Sequence, residues 1–251
     1  MKRQSLTAVL TSTLIVAGCA TAPPHNPFKI AEEEFHSKIK TIALSPLAVP
    51  GDLTDSDPVK AKFESLIQAK LREAGFSVVP SKESGEIFSN MNKQLGGIFD
   101  PVTGKRDETK FKAVREHALR ELSTKFKADA VLSGGIIAGT ARFGGGKASW
   151  WGTTESVAMS DGFLAAFQVA NLSGSIRTLS LVVSIENING GDAYMNMGGI
   201  QLAAKLSGGQ FVTVPRDKLF ASEERIAGAV NYALAPLVRK SAAVDAPKAQ
   251  P

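Results

Sequence analysis

The chain has 251 residues, 43% of them hydrophobic and 21% charged, a composition typical of a folded domain with a sizeable core. Its formal charge of +5 falls to +3 without Lys2 and Arg3, which stand in an N-terminal export-type segment, and so small an excess argues against nucleic-acid binding. Cys19 is the single cysteine, which excludes a disulfide within the chain, so stability must come from packing.

The first 19 residues resemble a bacterial lipoprotein signal. After the basic start, residues 6–16 form an apolar stretch that is too short for the roughly 20 residues of a spanning helix. The small residues Ala17 and Gly18 then precede Cys19. The resemblance implies a signal peptide over residues 1–18, cleavage between Gly18 and Cys19, and acylation of Cys19 with fatty acids such as palmitate. Cys19 would then anchor the mature protein in a membrane.

The residues after the cysteine predict where the anchor is held and how far the domain lies from it. In the enterobacterial pattern an aspartate after the cysteine favours retention in the inner membrane, and Ala20 stands there instead. We therefore expect the outer membrane, with the domain facing the periplasm. Residues 19–38, with three prolines and three consecutive glutamates, are interpreted as a flexible tether with a reach of about 25 Å. So short a tether keeps the domain close to the membrane.

Residues 39–239 are predicted to form a single α/β domain, and its first half alternates strands with helices. Asp57-Pro58 and Asp107 are typical helix starts, and Gly75 is a typical helix end. A strand–helix–strand order predicts a parallel crossover. The expected elements are a strand over 41–47, a helix over 57–74, a strand over 76–79, helices over 83–95 and 107–126, and a strand from residue 130.

The second half predicts antiparallel hairpins. The glycines at 144–146 form a turn into a single returning strand over 148–157, whereas residues 158–174 fit a loop. The whole pattern predicts a mixed sheet with a parallel βαβ-type first half, antiparallel hairpins in the second half, and helices packed on the faces. The remaining elements are a hairpin over 177–204, a short strand over 211–214, a helix over 222–238 that Pro236 should end early, and a disordered tail over 240–251.

The register of the 177–204 hairpin can be argued from its turn. A three-residue turn over 189–191, with a glycine in the left-handed conformation, would place Ile185 opposite Met195 and Val183 opposite Met197. This choice keeps apolar side chains on one face, and a slip of one residue would turn all of them over.

This order of elements resembles the periplasmic α/β lipoproteins related to the curli-secretion channel subunit CsgG, the penicillin-binding-protein activator LpoB and the N-terminal domain of TolB. The matching features are the signal ending at Cys19, the opening strand 41–47, the helix that begins at Asp57-Pro58, the strand entry at residues 128–131, the hairpin 179–191 and the closing amphipathic helix. The resemblance implies a protein of the outer envelope that binds or assembles partners and is not an enzyme.

Patterns that carry catalysis or metal binding do not stand out in the sequence. The histidines are His25, His36 and His117; the first two lie in or near the predicted tether, and His117 has no metal-binding spacing. The glycines before Lys147 are not a phosphate-binding loop, since Ala148 stands where a serine or threonine would bind the metal. We therefore predict no metal site, no cofactor and no enzymatic activity.

The candidate contacts for a partner are aromatic. Trp150 and Trp151 are the only tryptophans, and on a strand they would point to opposite faces, leaving one exposed beside a glycine turn. Phe163 and Phe167 could form an apolar lip for a partner or the bilayer, or they could cover the core. The segment 105–127 carries eight basic and four acidic residues, an excess that could face anionic lipid or an acidic partner, although a solvated helix face also fits.

Three functional hypotheses follow. The first is a lipid-anchored periplasmic binding or scaffolding protein that acts in envelope assembly or secretion through protein–protein contacts, with an envelope protein or a second copy as partner. The alternative is an oligomeric subunit of a CsgG-like outer-membrane secretion channel. Residues 139–178 lack the sustained apolar–polar alternation of lipid-facing hairpins, which places this alternative second. An envelope enzyme is third, because no catalytic constellation supports it.

Overall fold

The computed structural model describes residues 25–51, 56–159 and 169–238. The predicted signal peptide, Cys19 and the tail 240–251 therefore lie outside the described residues. The helices are α1 (Glu32–Lys38), α2 (Ser56–Glu73), α3 (Ser81–Gln94), α4 (Glu108–Phe126) and α5 (Glu223–Leu234). The strands are β1 (Thr41–Leu44), β2 (Ser77–Val79), β3 (Ala130–Gly144), β4 (Lys147–Trp150), β5 (Thr153–Ser156), β6 (Gly174–Asn187), β7 (Asp192–Leu202), β8 (Ala204–Ser207) and β9 (Gln210–Thr213).

The predicted start of α4 and the predicted early end of α5 are confirmed, whereas α2 begins at Ser56 and not after Asp57. The Asp107 side chain accepts a hydrogen bond from the Lys110 backbone N–H (3.0 Å) and begins α4. Ser222 accepts in the same way from the Arg225 N–H (3.3 Å) and begins α5. Because Pro236 has no N–H to donate, α5 ends at Leu234 and a 3₁₀ turn follows it.

The main sheet is mixed, which confirms the predicted fold class. β1 lies between β2 and β3 and is parallel to both. The long strand β3 pairs antiparallel with β6 from Ala130 opposite Asn187 to Phe143 opposite Gly174, and β6 pairs antiparallel with β7. β4 and β5 continue the sheet from the far end of β3, and β8 with β9 forms a separate two-stranded sheet. The parallel first half and the antiparallel hairpins of the second half are as expected.

Helices cover both faces of this sheet. On one face α2 and α5 bury the principal core, which includes Phe63, Ile67 and Val230. On the other face α3 and α4 cover Ala43 and Val131. Neighbouring residues of one strand point to opposite faces, so α4 and α5 lie on opposite sides of the sheet. A smaller cluster fills the space around the far ends of β3 and β6, beside β4, β5 and β8; it contains Ala141, Phe143, Ala148, Val157, Ile176 and Leu206.

The prediction of a flexible tether through residue 38 is wrong for its second half. Residues 32–38 form α1, and Phe35 is fully buried beside Phe28, with 5.4 Å between the two ring centroids. Phe28 also forms a β-bridge with Tyr194 at the outer edge of β7. The hydrophobic effect explains why this half of the segment is folded, because burying the large apolar side chains of Phe28 and Phe35 is favourable. The many prolines and glutamates around them led to the prediction of a flexible tether. The domain therefore begins near residue 27 and not at residue 39.

The predicted register of the β6–β7 hairpin is wrong by one residue. Ile185 lies opposite Tyr194 and Val183 opposite Asn196, with a bulge between Ile185 and Glu186. Tyr194 and Asn196 consequently face the core, whereas Met195 is 44% exposed. The glycines of the turn do adopt left-handed conformations, with φ of 97° at Gly190 and 93° at Gly191.

The end of α5 explains this register. The last carbonyls of a helix have no partner within the helix, and Pro236 removes the N–H that would serve the Tyr232 carbonyl. Asn196 donates from Nδ2 to the carbonyls of Tyr232 (3.4 Å) and Ala233 (3.0 Å), and the Tyr194 hydroxyl also donates to the Ala233 carbonyl (2.5 Å). Two methionines at the core face could not donate these hydrogen bonds, so the polar pair is favoured there.

Replacing Tyr194 with phenylalanine is expected to change how stability depends on pH. Burial raises the pKa of the Tyr194 hydroxyl above its ordinary value of 10, so above pH 10 the unfolded chain releases this proton and the folded chain keeps it. The free energy of unfolding should therefore fall as pH rises above 10 in the parent protein, and less steeply in Tyr194→Phe. Below pH 10, the free energy of unfolding of the variant should be about 1 kcal/mol lower than that of the parent, because the hydrogen bond of the Tyr194 hydroxyl is lost. Urea unfolding from pH 8 to 11 measures both effects. If the stability of the parent and of the variant changed equally with pH, the raised pKa would not belong to Tyr194.

Candidate functional site

Four of the residues singled out in the sequence lie outside the described residues: Gly18, Cys19, Phe163 and Phe167. The lipidation of Cys19 and the contact role of the two phenylalanines therefore stay predictions. Trp150 and Trp151 are described, and the structure places them differently from the sequence expectation.

Trp151 lies in a turn and not on a strand. Trp150 ends β4 opposite Thr153, the first residue of β5, so Trp151 and Gly152 form a two-residue hairpin turn. Both adopt positive φ, 39° for Trp151 and 78° for Gly152, as type I′ turns require. The left-handed conformation costs a residue with a Cβ roughly 1–2 kcal/mol, so the surrounding structure must hold Trp151 in place. The prediction of one strand over 148–157 is wrong for this reason.

The backbone of β7 holds this turn. The Gly199 N–H donates to the Trp151 carbonyl (2.9 Å), and the Thr153 hydroxyl donates to the Gly199 carbonyl (2.6 Å). A Cβ at position 199 would lie 2.7 Å from the Trp150 carbonyl oxygen, so only glycine allows this approach. The Trp150 side chain packs, half-buried, against the smaller cluster.

Trp151 belongs to an exposed group of rings. Its ring lies edge-on to the His25 ring, with 5.9 Å between the centroids, and 39% of the residue is exposed. Tyr232 of α5, 46% exposed, packs so closely on the turn that a Cβ at Gly152 would lie 2.1 Å from its ring. We call His25, Trp151 and Tyr232 the aromatic surface. No sequence signal places His25 and Tyr232 beside Trp151, because both are distant from it along the chain.

A second candidate lies on the opposite face of the sheet, between α3, α4 and the strands. Two adjoining cavities of about 370 and 410 Å³ share Arg115, Leu119 and Glu186, and we call them together the α4 cleft. Phe88 and Phe111 line the first cavity with their rings edge to face, 6.4 Å between centroids. Arg115 and Glu186 form an ion pair between α4 and β6 where the two cavities meet. The cleft thus offers aromatic side chains beside paired charges.

Charged side chains next to the α4 cleft are held by electrostatic contacts and hydrogen bonds. The guanidinium of Arg106 lies over the Phe111 ring, 4.2 Å from its centroid. In the preceding loop, hydrogen bonds from the backbone and hydroxyl of Thr103, and from the Val102 backbone, lower the pKa of the Asp100 carboxyl. Four of the basic side chains in residues 105–127 pair with glutamates, and because only Glu186 lies outside that segment, the predicted positive excess of four falls by one. These pairs are Arg106–Glu108, Lys112–Glu116, Arg115–Glu186 and Lys125–Glu121.

The histidines are dispersed. His25 belongs to the aromatic surface, His36 is buried and stacked on Phe76 with 5.8 Å between centroids, and His117 is half-buried on α4. Over the described ranges, no group of three or more His, Cys, Asp or Glu side chains is placed to hold a metal ion. Within the same ranges, no helix is both long enough and apolar enough to cross a membrane.

Glu155 on β5, which is the most buried carboxylate among the described residues, was not identified in the sequence analysis. It is 7% exposed, and its Oε1 lies 2.8 Å from Lys205 Nζ and 2.9 Å from an Arg225 guanidinium nitrogen. Its Oε2 accepts a hydrogen bond from the Leu202 N–H (2.8 Å). Glu155 stands in a polar run of the sequence, which resembles an exposed strand and hides this burial.

Comparisons with known proteins add little to this picture. No protein-family model matches the sequence, and no curated protein matches it. Among solved structures the chain is similar to PelC dodecamers from Paraburkholderia phytofirmans. A point variant of PelC is 11% identical, with 80% of this chain and 91% of that chain covered and a TM-score of 0.36. PelC in a second crystal form is 12% identical, with 81% and 90% covered and a TM-score of 0.36. At these values no property of PelC is carried over to this chain.

Proposed function

We propose that this chain is a lipid-anchored binding protein of the outer membrane that acts in envelope assembly or secretion by holding a protein partner in the α4 cleft. The α4 cleft carries the proposal, because its aromatic side chains and its Arg115–Glu186 pair remain accessible on the helix-covered face of the sheet. Aromatic and arginine side chains in a depression are the groups that most often anchor a protein interface.

The anchor supports the cellular side of the proposal. An apolar stretch of this length, small residues and a lone cysteine in series favour acylation of Cys19. One acyl chain holds a protein only marginally, whereas several hold it durably, so a multiply acylated cysteine would fix the domain at the membrane. The resemblance to CsgG, LpoB and TolB points the same way.

Acylation should depend on Cys19 alone. Cells that express the parent chain should incorporate labelled palmitate into it and retain it in the outer-membrane fraction. Cys19→Ser should abolish both signals, because serine offers no thiol for the lipid. Incorporation into Cys19→Ser, or none into the parent, would refute the anchor.

The partner can be sought by cross-linking from inside the cleft. A photoreactive phenylalanine analogue at position 88 should yield a covalent adduct with one envelope protein in cells. The matched control is the same analogue at Phe211, which is 57% exposed on β9, and it should not yield that adduct. Adding Leu119→Glu, which places a charge where the two cavities meet, should remove the adduct. An adduct that survives this change would show that the cleft is not the binding site.

The same experiment separates the two binding hypotheses. Adducts between copies of the chain, together with a ring-shaped oligomer and conductance in planar bilayers, would favour the secretion-channel alternative. An adduct with a different envelope protein from a monomeric chain would favour the binding or scaffolding function.

A further inference from the structure

The aromatic surface places the two ends of the described domain beside each other. His25, the first described residue, contacts Trp151. The cleft next to it, about 850 Å³, is lined by His25 and Asn26 from the N-terminal side and by Pro236 and Val238 from the C-terminal side. Both ends of the domain therefore reach the surface next to Trp151 and Tyr232.

The length of chain beyond His25 limits how far this surface can be from the anchor. Cys19 is six residues before His25, and six residues span at most about 20 Å. If Cys19 carries lipid, His25 and the Trp151 ring beside it cannot be far from the bilayer surface. No such restriction applies to the α4 cleft on the other face of the sheet.

The chemistry of this surface suits a membrane interface. Trp and Tyr are enriched at the level of lipid headgroups, because each combines an apolar ring with a polar group. The exposed residues between Gly228 and Val238, on α5 and the 3₁₀ turn after it, are uncharged: Gly228, Asn231, Tyr232 and Ala235. Arg239 and Lys240 follow directly in the sequence, and anionic lipid attracts such cations. Glu32 and Glu33 line the adjoining cleft and oppose this attraction, so the uncharged rings and not net charge must supply the contact.

We propose that the aromatic surface is a second membrane contact, in which Trp151 and Tyr232 lie among the phospholipid headgroups next to the acylated Cys19. This inference rests on the proposed lipid anchor. It assigns the left-handed Trp151 a role, because the Trp151-Gly152 turn holds the indole outward beside the exit of the tether. It also orients the domain, since the α4 cleft then faces away from the membrane and toward periplasmic partners.

Tryptophan fluorescence tests the contact, because the chain has only two tryptophans. Full-length Trp150→Phe, with Trp151 as its only tryptophan, is reconstituted into vesicles of phosphatidylethanolamine and phosphatidylglycerol that contain acyl-brominated phosphatidylcholine. Most of its emission should be lost compared with vesicles that lack bromine. In vesicles without bromine, the emission should lie to the blue of that of a tryptophan exposed to water. The matched control, Trp151→Phe, retains the half-buried Trp150 and should be quenched much less.

A second readout leaves both tryptophans in place. Tyr232→Cys carrying a nitroxide should show the oxygen accessibility of a lipid-immersed position, whereas Val102→Cys, at a 90% exposed site between α3 and α4, should show that of water. Mass spectrometry of the same samples reports acylation of Cys19. If Cys19 is acylated but Trp151 and the nitroxide at position 232 both report water, the membrane contact alone is overturned. If Cys19 is not acylated, the anchor and the contact are overturned together. A Trp151 that is shielded from water but unquenched by bromine would show a protein occupant and also overturn the contact.

Discussion

Replacing Gly198 with alanine is expected to lower the free energy of unfolding by about 3 kcal/mol, at the upper end of overpacking effects. Gly198 of β7 lies directly under α5, and a Cβ there would be 2.0 Å from the Ala229 carbonyl oxygen and 2.9 Å from its Cα. These neighbours are helix backbone atoms, which cannot rotate away as a side chain could. The methyl group would therefore force α5 off the sheet and open the principal core.

Gly228→Ala is the matched control. Gly228 lies on α5, the helix that covers Gly198, but it has open space where its Cβ would be. Alanine is the better helix former, so this change should stabilise the protein by about 0.5–1 kcal/mol. Urea titrations of both variants in the unlipidated Cys19→Ser background give the comparison. Equal stabilities for the two variants would mean that α5 does not pack on β7 as described.

Removing the carboxylate of Glu155 should have a similarly large effect. Glu155→Ala leaves the Lys205 ammonium, the Arg225 guanidinium and the Leu202 N–H without their shared acceptor. Breaking a buried ion pair by removing one partner costs about 3–5 kcal/mol, and the partial exposure of Arg225 places the expected loss near 3 kcal/mol. Thermal or urea unfolding of the variant measures this loss.

The control for this prediction is Glu34→Ala. Glu34 pairs with Lys38 at 2.6 Å on the exposed side of α1, and water already screens both charges. Its loss should change the free energy of unfolding by less than about 0.5 kcal/mol. If Glu155→Ala were as mild as Glu34→Ala, β5 would not be fastened to β8 and α5 by this carboxylate.

The fold was predictable where local chemistry decides it. Asp107 caps α4 through its side chain, and Pro236 ends α5 because it has no backbone N–H to donate. The order of strands and helices then leads to a mixed sheet by the rules of chain connection. These signals are short-range, so a single sequence contains them in full.

The errors arose where distant residues decide the local conformation. The register of β7 depends on α5 carbonyls about 40 residues away, which Asn196 and Tyr194 serve. The Trp151 turn depends on Gly199 and Tyr232, and the burial of Phe35 depends on the Phe28 bridge to Tyr194. The aromatic surface and the α4 cleft are likewise assembled from separate elements, so no contiguous motif announces either one.

The pairing of residues 27–29 with the edge of β7 has a mechanical consequence. The Met195 N–H donates to the Pro27 carbonyl (2.8 Å), and the Lys29 N–H donates to the Ala193 carbonyl (2.9 Å). A pulling force transmitted from the direction of Cys19 meets these two hydrogen bonds in series, Pro27 first, before it reaches Phe35. Traction on the protein would therefore peel a few residues from the sheet edge and lengthen the chain between membrane and domain, leaving the core beneath α5 unstretched.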